Sequence, residues 1–219
     1  MNRKTGLVAG LGVAVVLVIA AGGWYLNQES MQEKFRAQVQ PVVKKVSEKI
    51  QATAELTGGA STRDSLERSQ AHLTDLAGLG ADLKSFYTDG ARQEDFIAAA
   101  QTYLAAAQGF IRSQQEFTRS LSRLEAARAK VKESLDAKVR TSQFSMDFWK
   151  ESHGRVTLAL EAARKEATQA RDRLIAVTDA TQAASELAAP VVGRGVVAPA
   201  KVFADHTKVL EGLPLAKDG

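Results

Sequence analysis

Residues able to do chemistry are few in this chain, and they are scattered. The three histidines, His72, His153 and His206, lie far apart and form neither an HExxH motif nor a pair at ligand spacing. His72 and Asp75 share a helix face, but two donors fall short of a closed zinc site. The chain has no cysteine, which removes thiol nucleophiles, thiolate metal sites and disulfides. It has no Gly-x-Ser-x-Gly elbow and no Walker-type loop, and Gly10-Leu11-Gly12 lies inside an apolar run. Carboxylates are plentiful, yet each sits among Lys and Arg on a solvated helix face. Acid–base work needs isolated carboxyl pairs in apolar surroundings. The sequence therefore predicts no enzyme, no metal and no cofactor, with all three histidines at surface or boundary positions.

Charge points away from nucleic acid. Lys and Arg number 29 against 25 Asp and Glu, for a net charge of +4. The densest basic cluster is Arg119, Arg123, Arg128, Lys130 and Lys132, and Glu116, Glu125, Glu133 and Asp136 surround it. Phosphate binding needs a cationic block, whereas mixed signs predict a helix flank laced with salt bridges.

The elements around these residues read as helix throughout. Alanine accounts for 37 of 219 residues, and no proline interrupts the chain between Pro41 and Pro190. Proline costs about 3 kcal/mol inside a helix, so such a run suits long helices. No sustained period-two alternation marks a strand.

At the N-terminus, Gly6 to Leu26 carries no charge. As a helix it spans roughly 31 Å, the thickness of a bilayer core. Arg3 and Lys4 precede it, and Trp24 and Tyr25 stand near its far end. Basic residues stay on the cytoplasmic side and amphipathic rings settle at the interface. The expectation is a single transmembrane helix over 1–26, N-terminus inside, in a bacterial inner membrane. The bulk of the chain would then lie in the periplasm or outside the cell. Gly6 and Gly10 form a GxxxG pair, which lets two membrane helices approach closely. Ala20-Ala21-Gly22 offers a competing signal-peptidase site, but the apolar run exceeds a usual signal core of about 7–15 residues.

Beyond the anchor, the sequence predicts an all-α fold: an elongated antiparallel helical bundle, or coiled-coil hairpin, over 27–188. Its helices are expected over about 27–57, 62–88, 93–152 and 156–188. Phe35, Val39, Val42, Val46 and Ile50 form the stripe of the first. Leu66, Leu73, Leu76, Leu83 and Phe86 form that of the second, which Asp89-Gly90 is expected to stop. Ser61 and Asp64 resemble a capping box at its start. The third carries a heptad seam, with Phe96, Tyr103, Phe110, Phe117, Leu124 and Val131 every seven residues. Ala100, Ala107, Gln114, Leu121, Arg128 and Leu135 interleave, predicting a left-handed supercoil with Gln114 and Arg128 as polar register pins. The fourth presents a mostly alanine seam at Val156, Leu160, Ala163, Ala167, Ala170, Leu174, Val177, Thr181, Ala184 and Ala188.

The break between the third and fourth helices falls at Gly154 in the favoured reading. Thr141-Ser142 is a second candidate, and one continuous rod of about 95 residues, roughly 140 Å long, is a third. Residues 189–219 are expected as an extended linker and a short amphipathic helix starting near Pro199. Its face would be Val202, Phe203, Val209 and Leu210, either docked on the bundle or turned toward a partner. Phe144, Phe148 and Trp149 near the hairpin tip, with Phe203, are the candidate partner contacts.

The function these features suggest is a membrane-anchored extracytoplasmic scaffold, adaptor or assembly factor. It would recognise other envelope proteins helix to helix, with no nucleic acid and with a homo-oligomer open. Two alternatives stand beside it. One is a ligand-binding sensory subunit that signals through a membrane partner. In outline, without a shared motif, it resembles the periplasmic helical bundles of bacterial chemoreceptors. Those receptors add a second membrane span and a cytoplasmic signalling region, which this sequence does not show. The other is a cleaved, soluble periplasmic helical chaperone.

Overall fold

The computed structural model describes residues 31–57, 62–138 and 145–215. Among these residues there are five helices and no strand: α1 over 31–55, α2 Thr62–Ser85, α3 Ala91–Lys138, α4 Met146–Val192 and α5 Ala200–Glu211. The all-helical, packed-bundle expectation holds. The proposed membrane span and the Ser61 half of the capping box lie outside the described residues.

Contacts between helices fix the directions. Phe35 of α1 meets Phe96 of α3, Ser47 meets Tyr103 and Thr57 meets Gln114, so α1 and α3 run parallel. Helix α2 runs antiparallel to both, with Lys49 paired to Asp75 and Gln115 bonded to Gln70. Helix α4 returns antiparallel to α3, with Thr181 opposite Ala106 and Arg123 ion-paired to Glu166. Helix α5 rises again beside α1 and α3, with His206 level with Thr57 and Gln114. The result is an up-down-up-down-up bundle with α3 as its central member.

The core follows the predicted stripes, with three shifts. In α1 it is Val43 rather than Val42 that is fully enclosed, beside Phe35, Val39, Val46 and Ile50. In α3 the seam is buried from Phe96 through Leu124 except at Leu121, which is half-buried. Val131 is only half-buried and Leu135 is 48% exposed. In α4 the buried positions after Leu174 are Thr178, Thr181, Ser185, Ala188 and Val192, while Val177 and Ala184 lie at the margin. Each of those hydroxyls has a partner inside the bundle: Thr178 faces His206 of α5, Thr181 donates to the Val177 carbonyl, and Ser185 donates to the Ala198 carbonyl.

Helix ends depart further from expectation. Helix α2 stops at Ser85, four residues before Asp89, and α3 begins at Ala91 just after Gly90, whose φ is +122°. Gly154 lies inside α4, and the Thr141-Ser142 candidate falls outside the described residues. Glycine in a helix costs about 1 kcal/mol against alanine, a cost that a neighbouring heptad overcomes without a break. Gly154→Ala has open space for its Cβ, so it is expected to stabilise the chain by about 1 kcal/mol. In a thermal melt this reads as a rise of about 2–4 °C, and a fall would restore Gly154 as a turn.

The predicted linker at 189–197 is shorter than expected, because α4 runs through Pro190 to Val192. Pro190 is exposed, so water can take the carbonyl that the missing N–H leaves. Val192 is fully buried and its carbonyl accepts from Gln40 Nε2 at 2.9 Å, holding the last turn in place. Gly193 then reverses the chain with φ +113°, a left-handed conformation in which a side chain would be strained and its Cβ would press on Gln40.

Candidate functional site

Two places on the bundle gather polar or aromatic side chains, and only one was foreseen. The unforeseen one is a buried polar seam under α5. Tyr103 is fully enclosed, and its hydroxyl accepts the Ala198 N–H at 2.9 Å. Ser47 Oγ lies 3.0 Å from the same hydroxyl and donates to Val196 carbonyl at 2.6 Å. Burial pushes the Tyr103 phenol above its ordinary pKa, against smaller lowering from its hydrogen bonds. Ser185 Oγ donates to the Ala198 carbonyl at 2.9 Å. Both polar groups of the Ala198 backbone are thus satisfied by side chains from two different helices.

Two turns along, His206 is 3% exposed, a correction to its expected surface placement. Its Nε2 lies 3.0 Å from Thr57 Oγ1 and 3.3 Å from Gln114 Oε1, and Gln114 Nε2 donates to Thr57 Oγ1 at 2.9 Å. An amide oxygen can only accept, so Nε2 carries a proton toward Gln114. Nδ1 faces Thr178 Oγ1 at 3.4 Å, and Phe110 packs edge-on with centroids 5.1 Å apart. Desolvation lowers the His206 pKa to about 4. The set has one titratable group, held by hydroxyls and an amide, and no second base or acid. Its chemistry is that of a lock joining α1, α3, α4 and α5.

His72 and Asp75 are engaged by α1. His72 Nδ1 lies 2.9 Å from Thr53 Oγ1, and Asp75 pairs with Lys49. Burial, followed by the Lys49 charge, lowers the His72 pKa. The Lys49 hydrogen bond and charge lower that of Asp75. Among the described residues, no group of three or more His, Asp or Glu could hold a metal ion.

The foreseen place is the hairpin tip. Past Leu124 in α3 and before Ala167 in α4, the described residues include none that is fully buried. Past the level of Arg128, which bonds the Pro214 carbonyl, the two helices continue as a pair with no other described helix beside them, for about 15 Å on the α3 side. There Trp149 is half-buried. Its Nε1 donates to the Ser134 carbonyl at 2.7 Å, its ring stacks on His153 at 4.7 Å, and Lys138 Nζ lies 5.1 Å from its centroid. Phe148, one residue before, is 77% exposed. Phe144 lies outside the described residues.

The structure separates the remaining candidates. Phe203 is buried in the core with Leu210, so it is a docking anchor of α5 and not an exposed partner contact. The fully buried face of α5 is Phe203, His206 and Leu210, while Val209 is exposed. The apolar period of the helix left His206 unread, because histidine spaced three residues from Phe203 is polar by type. Of the polar seam positions, Gln114 is buried in the His206 cluster, whereas Arg128 is half-exposed and donates to the Pro214 carbonyl at 3.2 Å. Arg3, Lys4, Gly6, Gly10, Trp24 and Tyr25 all fall outside the described residues. No protein-family profile, curated protein or solved structure matches the chain.

Proposed function

We propose that this chain is a membrane-tethered, extracytoplasmic helical scaffold or adaptor, which holds a recognition tip away from the bilayer. The carrying observation is the α3–α4 hairpin, which outruns every other described helix and ends in an exposed Phe148. Helices α1 and α3 run parallel, so residue 31, five positions after the apolar run, lies at the opposite end from that tip. Along α3, Lys138 lies 42 positions beyond Phe96, about 63 Å. A tether would raise the local concentration of partners held in the same membrane.

No described helix is long and apolar enough to cross a membrane, so the tether rests on Gly6–Leu26. Extraction of native membranes with alkaline carbonate tests it. The full chain should stay in the pellet, and removal of residues 1–26 should release it. Release of the full chain by carbonate would remove the tether, and with it this function.

A further inference from the structure

We infer that a recess at the end of the bundle where α1 starts takes the headgroup of an anionic phospholipid, with Arg36 and Arg92 on its phosphate. The choice of a lipid rests on the tethered reading above. The recess holds about 310 Å³ and lies among the first turns of α1 and α3 and the last turn of α4. Phe35, Phe96 and Pro190 give it an apolar lining, and Arg36 and Arg92 border it from two different helices. Both arginines are exposed, and Arg92 Nη1 reaches Gln32 Oε1 only at 3.5 Å. Among the described residues, no carboxylate pairs with either guanidinium. A guanidinium binds a phosphate group through two parallel hydrogen bonds, and two unpaired guanidinium groups on one recess select for that group.

Position argues for a lipid over a free anion. Residues 27–30 alone separate the apolar run from Met31, so even fully extended they keep the start of α1 within about 18 Å of Leu26. Phe86 packs edge-on against Phe35, with centroids 6.3 Å apart, and its neighbour Tyr87 is 85% exposed at this same end. An amphipathic ring of that kind settles at a bilayer interface. The apolar lining gives the first methylenes of an acyl chain a surface that inorganic phosphate cannot use. Charge favours an anion only locally. Two cations and one carboxylate, Asp95, line the recess, whereas residues 31–36, 84–95 and 190–194 together hold five cationic and four anionic side chains. The preference therefore belongs to the recess and not to a broad basic patch.

Native mass spectrometry of the full chain in a neutral detergent tests this, with phosphatidylglycerol, phosphatidylcholine or inorganic phosphate added at equal concentration. One bound phosphatidylglycerol is expected, at about tenfold or more the occupancy of either competitor, the difference expected from charge-assisted hydrogen bonds to one phosphate. Arg36→Gln combined with Arg92→Gln should bring phosphatidylglycerol down to the level of phosphatidylcholine. Both arginines are exposed, so this variant should keep the parent's circular dichroism and melting temperature. Equal retention of the two lipids, or a preference unchanged in the double variant, would overturn the inference. Phosphate bound as well as phosphatidylglycerol would overturn it too, by making the recess a site for free anions. The lipid is supplied in solution, so the outcome is separate from that of the carbonate extraction. Release by carbonate with the lipid preference intact would remove the tether alone, and loss of the preference in a chain that still pellets would remove the headgroup site alone.

Discussion

Lowering the pH from 7 to 4 is expected to reduce the unfolding free energy by about 3 kcal/mol through His206 alone. Its folded-state pKa of about 4 lies below the ordinary 6.5, so the unfolded chain takes up the proton first. Stability is therefore complete above pH about 6.5 and declines as the pH falls toward 4. Below that both states are charged and this contribution levels off. The lowered pKa of His72 adds in the same direction. The structural consequence is specific, because the imidazolium would sit among Phe110, Thr57, Gln114 and Thr178 without a carboxylate in its hydrogen-bond set. His206→Leu should cost about 2 kcal/mol at pH 7, since Gln114 Oε1 and Thr57 Oγ1 each lose a partner. It should also flatten the dependence between pH 6.5 and 4. Denaturant unfolding at pH 7, 5.5 and 4 reads both effects, and an undiminished slope in the variant would contradict the buried, neutral ring.

Phe117→Ala is expected to cost about 3–5 kcal/mol, whereas Leu135→Ala should cost less than about 1 kcal/mol. The two side chains belong to interleaved rows of one heptad seam, but Phe117 is fully enclosed and Leu135 is half in water. The difference arises from the number of helices present at each level. Thr57, in the turn that follows α1, lies level with Gln114, and α5 with its following turn reaches the level of Arg128. Farther along, among the described residues, α4 alone remains to cover α3. Equal losses at the two positions in denaturant unfolding would mean that the core extends to the tip.

These two cases show what the sequence could and could not reveal. Heptad spacing made the seam from Phe96 to Leu124 legible, because burial there rewards the same periodicity that the sequence displays. Periodicity carries no information on where covering helices end, so Val131 and Leu135 read as core when they are not. The helix propensity of α4 is likewise legible, yet Gly154 and Pro190 suggest breaks by residue type where α4 runs straight through. A long amphipathic face outweighs one unfavourable residue, and the exposure that makes Pro190 tolerable is a tertiary property. The polar seam was illegible for a related reason. Ser47, Tyr103, Gln114, Thr178, Ser185 and His206 come from four helices, and no local spacing links them. The one sequence signal was Gln114 at a seam position, a polar residue that asks for a buried partner. The tip aromatics stood out because Phe148 and Trp149 adjoin where aromatics are scarce, at 6% of the chain.

The central structural claim is that the start of α1 and the hairpin tip lie at opposite ends of the bundle. A spin-label distance between Glu33→Cys and Lys150→Cys, in full chain reconstituted in nanodiscs, tests it most directly. Both native residues are exposed, and the chain offers no competing thiol. With α1 parallel to α3, the separation should centre near about 60 Å, from the 1.5 Å rise along α3. A distribution centred below about 40 Å would place the tip beside the start of α1 and contradict both the topology and the scaffold built on it.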